Sequence, residues 1–273
     1  MKVFGLIGHP LGHSFSKAWF TEEFQREGLD CRYENFDLET IGQVTELLKH
    51  HPEIMGCNVT SPYKEKILDY IDYYDAIVAE TRSVNTLKRQ ANGRFAGFNT
   101  DVVGFSTLLQ AALDASNPNG DLGTEARALI LGTGGASKAV QYVMQKKGIP
   151  FALVSRDPRR GDFTYGTLGR EDGKPVLSPE VIRRHRILVN ATPLGTHPDI
   201  ESAPDLPYDA LSIEHLLIDL VYNPEETLFL RRGRERGAAT FNGRIMLYAQ
   251  AAASWEIWNV EQPTPKGSPT GGR

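Results

Sequence analysis

Leu129, Ile130 and Leu131 run straight into Gly132-Thr133-Gly134-Gly135-Ala136-Ser137, placing glycines where an apolar strand would turn sharply into a helix. Without a Cβ the backbone can close on a pyrophosphate, and a helix N-terminus favours the charge of that group. A strand before and a helix after are the context a dinucleotide site requires, although a tight strand–helix turn also uses glycine for geometry alone. The end of the next apolar run is Val154-Ser155-Arg156-Asp157, with Arg159 and Arg160 close behind. At this point an NAD site usually carries a carboxylate for the ribose 2′-hydroxyl, whereas a cation accommodates the 2′-phosphate of NADP. Arg156 and Arg160 suit the phosphate, each charged hydrogen bond contributing about 1.5–3 kcal/mol. A solvated basic loop has the same composition. Asp157 cuts the other way, since a carboxylate repels a phosphate.

Three polar segments lie where the apolar pattern predicts strand ends. They are His13-Ser14-Phe15-Ser16, then Asn58-Val59-Thr60-Ser61-Pro62-Tyr63-Lys64, then Ser83-Val84-Asn85-Thr86 with Asn99-Thr100-Asp101. Ser14 and Ser16 are two apart, so on extended chain both hydroxyls face one way and suit a carboxylate. Singly, each segment has a plain structural reading: Ser14 as an N-cap, Asn58 as a turn residue, Asp101 as the N-cap of the next helix.

Holding these groups requires alternating strands and helices. Residues 3–10 read as strand then loop, 16–28 as an amphipathic helix with Trp19, Phe20 and Phe24 on one face, 31–38 as a strand, 41–51 as a helix and 53–60 as a strand. That alternation implies an α/β fold with a mostly parallel sheet. A helix over about 101–114 runs into the turn-rich stretch 116–123, which reads as a linker. Beyond it, 127–148 reads as strand, glycine turn and helix, with further strands at 151–157, 186–195 and 215–222. A second series with its own glycine turn implies a second domain. The last helical segment, 244–259, follows a helix-breaking Asn242-Gly243, and 263–273 reads as a frayed tail.

A chain of 273 residues is long enough for one large domain or two ordinary ones. With 40% hydrophobic and 23% charged residues it is neither disordered nor fibrous in composition, and a net charge of -4 offers no basic field to a nucleic acid. The first apolar run is too short for a signal-peptide core, and no run approaches the roughly 18 to 20 residues of a membrane helix. Cys31 and Cys57 lie outside any CxxC and are expected to be reduced thiols; the seven histidines form no HExxH, so no metal site is expected.

Taken together, the motifs resemble the shikimate dehydrogenase family. The matching stretches are HSFS, NVTSPYK, SVNT, FNTD, GTGGAS, VNATPLG, DLVYNPEET and NGRIML with Gln250, in family order from residue 13 to residue 250. The resemblance implies a cytoplasmic, NADP-dependent oxidoreductase that reduces 3-dehydroshikimate to shikimate in aromatic amino-acid biosynthesis. It implies a monomer or homodimer without nucleic-acid or membrane partners. It also implies a substrate-binding domain of residues 1–100, with 241–262 returning to it, and a Rossmann-like NADP domain of residues 101–240. Residue by residue, Ser14 and Ser16 would bind the substrate carboxylate with Tyr222, while Thr60, Asn85 and Gln250 would bind ring hydroxyls. Lys64 and Asp101 would be the catalytic pair. Gly132, Gly134, Gly135 and Ala136 would hold the pyrophosphate, and Ser155, Arg156 and Arg160 the 2′-phosphate. Thr192 would lie along the cofactor, with the backbones of Leu220 and Gly243 at its nicotinamide end. The chain departs from the family at Lys17, where many members have proline, and at Arg244 and Ile245, where an apolar and a small or acidic residue are common. The alternatives are an NAD-dependent quinate/shikimate dehydrogenase and a non-catalytic sensor.

Overall fold

A computed structural model describes residues 1–12, 15–116, 126–165 and 175–259. The described chain divides into two compact units, one of Met1–Thr100 with the residues from Ala251 onward, the other of Asp101–Gln250. Two expectations, the linker over most of 116–123 and the tail at 263–273, lie outside the described residues.

The first unit is built on β1 (Lys2–Gly8), α1 (Phe15–Arg26), β2 (Cys31–Asp37), α2 (Gln43–His50), β3 (Ile54–Val59), β4 (Tyr73–Tyr74), α3 (Ala76–Thr81), β5 (Thr86–Arg89) and β6 (Phe95–Phe98). Its sheet has the order β2-β1-β3-β5-β6-β4. β1 pairs in parallel with β2 and β3, whereas β5 is antiparallel to both β3 and β6. The β5–β6 hairpin is absent from the sequence-based expectation, although Asn92-Gly93 between its strands is a strong turn signal.

One face of this sheet packs Ile7, Val44, Ile54, Val59, Ile67 and Leu87 into a closed apolar cluster. The other face is aromatic. Phe20 and Phe24, one turn apart on α1, meet Phe4 and Tyr33 from the sheet. Phe20 stacks on Tyr33 at 4.7 Å between ring centroids and 5° between planes. Burial of each such ring contributes about 1.5–3 kcal/mol, and a favourable ring pair about 0.5–1.5 kcal/mol more. Trp255 and Trp258, both from the chain's last helix, complete this layer.

The second unit holds α4 (Asp101–Ser116), β7 (Ala128–Leu131), α5 (Gly135–Lys146), β8 (Phe151–Val154), α6 (Pro179–Arg184), β9 (Ile187–Asn190), β10 (Leu216–Asp219), α7 (Leu228–Glu235) and β11 (Ala239–Phe241). The last helix, α8 (Arg244–Asn259), begins in this unit and ends in the first. The sheet is parallel throughout, in the order β11-β10-β9-β7-β8. β7, β9 and β10 are buried at every position, as strands covered on both faces must be. From β7 the chain passes to β8 on one side and later to β9 on the other. The carboxyl ends of β7 and β9 therefore flank a topological switch point, the place where such sheets bind ligands.

Candidate active site

The glycine turn sits at that switch point. Gly132 follows β7 with φ +103, a region that a side chain strains to enter, and an added Cβ would lie 2.9 Å from Thr192 Cγ2 at the end of β9. Gly134 is the N-cap of α5, has no side chain to occupy the first turn, and a Cβ built there would meet nothing within 4 Å. A helix N-terminus open to space, bordered by glycine and Ala136, fits a diphosphate.

The basic segment after β8 folds back on this turn. Arg160 Nη2 donates to the Thr133 carbonyl at 2.8 Å, and the buried Ser155 hydroxyl lies 3.4 Å from that of Thr133. Asp157, expected to repel a phosphate, is engaged by Arg159, whose Nε and Nη2 donate to the two carboxylate oxygens at 3.0 and 2.9 Å. Hydrogen bonds from the Arg159 side chain and backbone hold the Asp157 carboxyl below its ordinary range. Arg159 thus offsets the carboxylate, and Arg156 is exposed beside the same loop. Arg159 has no role in the sequence-based expectation; its position two residues beyond a carboxylate is the available signal.

Thr192 is held from below. Its backbone N and its hydroxyl both donate to Asn190 Oδ1, at 3.0 and 2.6 Å. Beside it, Leu220 N donates to the Asn190 carbonyl at 2.9 Å, and Gly243 N to the Val221 carbonyl at 3.0 Å. Gly243 is so close to Leu220 that a Cβ there would overlap the Leu220 carbonyl. Tyr222, on the same turn, is 39% exposed, which leaves its ring accessible to a ligand.

In the first unit, Ser16 stands in the first turn of α1, so the expected extended segment gives way to helix there; Ser14 lies outside the described residues. Ser16 hydrogen-bonds the Tyr33 hydroxyl, whose pKa is raised far above the ordinary value by burial and lowered only in part by that bond. Tyr33 donates to Asn58 Oδ1 at 2.8 Å, and Asn58 Nδ2 donates to the Ser254 hydroxyl at 3.0 Å. Ser254 in turn lies 2.8 Å from Thr86 Oγ1 and 3.1 Å from Thr100 Oγ1. Asn85 closes the network, its Oδ1 accepting from Thr100 N at 2.7 Å and its Nδ2 donating to Thr100 Oγ1 at 2.9 Å. Tyr33 and Ser254 have no role in the sequence-based expectation, and Thr86 and Thr100 enter it only as members of the polar segments, although Ser254 lies one helical turn beyond Gln250 and therefore on the same side of α8.

Thr60 follows β3, tied by its N–H to the Ile7 carbonyl at 2.8 Å. Lys64 is half-buried in the next turn, its carbonyl accepting from Val84 N at 2.8 Å. Asp101, the first residue of α4, is buried at 4% exposure and belongs to the second unit. Gln250 is half-buried on α8 and packs over Gly104 of α4. Among the described residues no group of three or more His, Cys, Asp or Glu side chains is arranged to hold a metal ion.

A parallel sheet with a glycine turn at its switch point and a basic arm folded onto that turn defines a dinucleotide-binding α/β unit. The other unit matches the shikimate dehydrogenase substrate binding domain over residues 6–87. Along nearly the whole chain, the shikimate dehydrogenase (NADP(+)) of Halothermothrix orenii is 33% identical, covering 96% of this chain and 92% of its own length. That of Thermus thermophilus is 34% identical over 98% of this chain and 96% of its own. Among solved structures, a shikimate 5-dehydrogenase from Thermus thermophilus, in complex with NADP(H) and shikimate, has a TM-score of 0.77 at 33% identity, covering 95% of this chain and 94% of that one. Quinate dehydrogenase from Corynebacterium glutamicum, in complex with NAD, has a TM-score of 0.76 at 26% identity, covering 94% and 93%. The chain belongs to the shikimate dehydrogenase family.

Proposed function

We propose that this protein is an NADP-dependent shikimate dehydrogenase, interconverting 3-dehydroshikimate and shikimate in the biosynthesis of aromatic amino acids. The observation that carries this reading is the nearly full-length likeness to a protein solved with both NADP(H) and shikimate. The NADP choice is supported further by Arg160 on the glycine turn and by the pairing of Asp157 with Arg159.

In this reading Gly132, Gly134, Gly135 and Ala136 receive the diphosphate, and Ser155, Arg156 and Arg160 the 2′-phosphate. Thr192, Leu220 and Gly243 border the nicotinamide. Ser14, Ser16 and Tyr222 bind the substrate carboxylate, and Thr60, Asn85 and Gln250 its hydroxyls. When bound, the nicotinamide supplies the hydride for reduction and accepts it in the reverse direction. Lys64 delivers the proton to the oxygen that gains negative charge as the ketone is reduced, and takes it back in oxidation. In this reading Asp101 is the carboxylate of the catalytic pair, the group whose charge favours the ammonium form of the lysine. The enzyme acts in the cytoplasm, as a monomer or homodimer, on small molecules; two free cysteines accord with a reducing compartment. Among the described residues no helix is long and apolar enough to cross a membrane.

The test is a spectrophotometric assay in which shikimate is offered with NADP⁺ and, separately, with NAD⁺, and quinate with each. Reduced-nicotinamide absorbance should rise with shikimate and NADP⁺. Turnover only with NAD⁺ would overturn the cofactor assignment, and turnover of quinate alone the substrate.

A further inference from the structure

Asp219 closes β10 with no solvent exposure at all. Three donors surround its carboxylate. Asn190 Nδ2 and Val221 N reach Oδ1 at 2.9 and 3.0 Å, and Thr227 Oγ1 reaches Oδ2 at 2.6 Å. All three are neutral, and burying a carboxylate among neutral partners is costly. Burial pushes the Asp219 carboxyl up to about 7, against the lowering effect of Thr227, Val221 and Asn190. A carboxylate is an expensive way to satisfy three donors in a sheet, so its connections matter.

Each donor leads to a different part of the candidate site. Asn190 has its amide nitrogen on Asp219, which turns its Oδ1 toward Thr192, where it accepts from both the backbone and the hydroxyl. The Val221 amide belongs to the turn between Leu220 and Tyr222, and the Val221 carbonyl receives Gly243 N. Thr227 caps α7, accepting from Leu230 N at 3.3 Å, and so anchors the far end of the loop that carries Tyr222. One side chain therefore ties the end of β9, the end of β10 and the start of α7 into a single rigid piece.

We propose that Asp219 is a positioning residue that holds Thr192 and the Leu220–Tyr222 turn, through Asn190 and the Val221 amide, in the arrangement that receives the nicotinamide half of NADP. The proposal rests on the cofactor reading above and adds a residue that touches neither cofactor nor substrate. Its chemistry explains why an amide would not serve. In Asp219→Asn an N–H would face the Thr227 hydroxyl, which already accepts from Leu230 N, and the hydroxyl's own proton would be left without a buried acceptor.

The experiment measures NADPH binding at equilibrium by its fluorescence, with thermal unfolding followed in parallel, for the wild type, Asp219→Asn, Thr227→Val and Thr227→Ser. Asp219→Asn and Thr227→Val should each weaken NADPH binding about tenfold, while Thr227→Ser, which keeps the hydroxyl, stays within about twofold of wild type. In steady state, KM for NADP⁺ should rise in the two weakened variants by a similar factor. Should Asp219→Asn fail to fold, the Thr227 pair carries the test alone. Variants that melt earlier yet bind NADPH with wild-type affinity would reduce Asp219 to sheet adhesive and overturn the proposal, as would equal losses in Thr227→Val and Thr227→Ser. A wild-type chain that binds no NADPH would instead end the cofactor reading, and this proposal with it.

Discussion

Replacing Ser254 by alanine removes one oxygen from the buried polar network of the first unit. Its hydroxyl touches Asn58 Nδ2, Thr86 Oγ1 and Thr100 Oγ1, all within 3.1 Å. The partners are not abandoned. Asn58 Nδ2 keeps the Asn85 carbonyl and Thr86 Oγ1 at 3.3 Å each, Thr86 Oγ1 keeps Asn85 Oδ1 at 3.1 Å, and Thr100 Oγ1 keeps the Asn85 amide. The space left by a single oxygen is smaller than a water needs. The loss should therefore resemble one buried polar group left poorly satisfied, about 2 kcal/mol, and not three. Urea unfolding followed by tryptophan fluorescence measures it, because Trp19, Trp255 and Trp258 all lie in the first unit and report on it. At a slope of about 2 kcal/mol per molar urea, the midpoint should fall by roughly 1 M. A double-mutant cycle with Thr86→Val should give a coupling of at least about 0.5 kcal/mol. A midpoint within about 0.2 M of wild type, or strictly additive losses, would refute the idea that these hydroxyls act as one network.

Lys64→Ala should lower kcat by orders of magnitude with only a modest change in KM, since its proton matters mainly in the transition state; an unchanged kcat removes it from that role. Arg89 donates to the carbonyls of Ile54, Leu48, His51 and Gly93 at 2.7–3.1 Å and lies 4.5 Å from the centre of the Phe95 ring. Arg89→Met should cost about 3 kcal/mol in the same urea assay, and a loss below about 1 kcal/mol would contradict that count of bonds. The His9 side chain and the Leu11 amide hold the Asp37 carboxyl below its ordinary 3.8. A depressed folded pKa contributes stability above the unfolded value, and that stability fades as pH falls through the folded one. Asp37→Asn should therefore lower stability at neutral pH and flatten the acid limb below about pH 4, so that the two proteins converge in acid; an acid limb of unaltered steepness would exclude this pair.

How much of this could be read from residues alone varied with distance along the chain. The apolar run of β7, those of β9 up to Asn190 and of β10 up to Asp219, the glycines after β7, and a final helix over 244–259 that coincides with α8 each carry a local signal. Short helices were missed where a cap decides everything: Asp75 for α3, Ser178 for α6 and Thr227 for α7 each accept from an amide three residues on. The hairpin of β5 and β6 was missed because both strands have only four residues and β5 mixes charge with apolar residues. The Asn58–Ser254 bond joins residues 196 apart, and no spacing rule reaches that far. Asp157 misled for the opposite reason. Its sign was visible, while the Arg159 side chain that answers it depends on a loop geometry that composition does not reveal.

The aromatic layer of the first unit has a consequence for synthesis. Phe4, Phe20, Phe24 and Tyr33 emerge from the ribosome early, but Trp255 and Trp258, which cover them, come after the roughly 150 residues of the other unit. At ordinary translation speeds that is a wait on the order of ten to thirty seconds. During it, the sheet face that α1 packs on lacks Trp255 and Trp258, while the other unit acquires its last strand, β11, before they are made. The opening hundred residues therefore wait for a segment made last, and they are the stretch a holding chaperone would find and a truncated message would leave to aggregate.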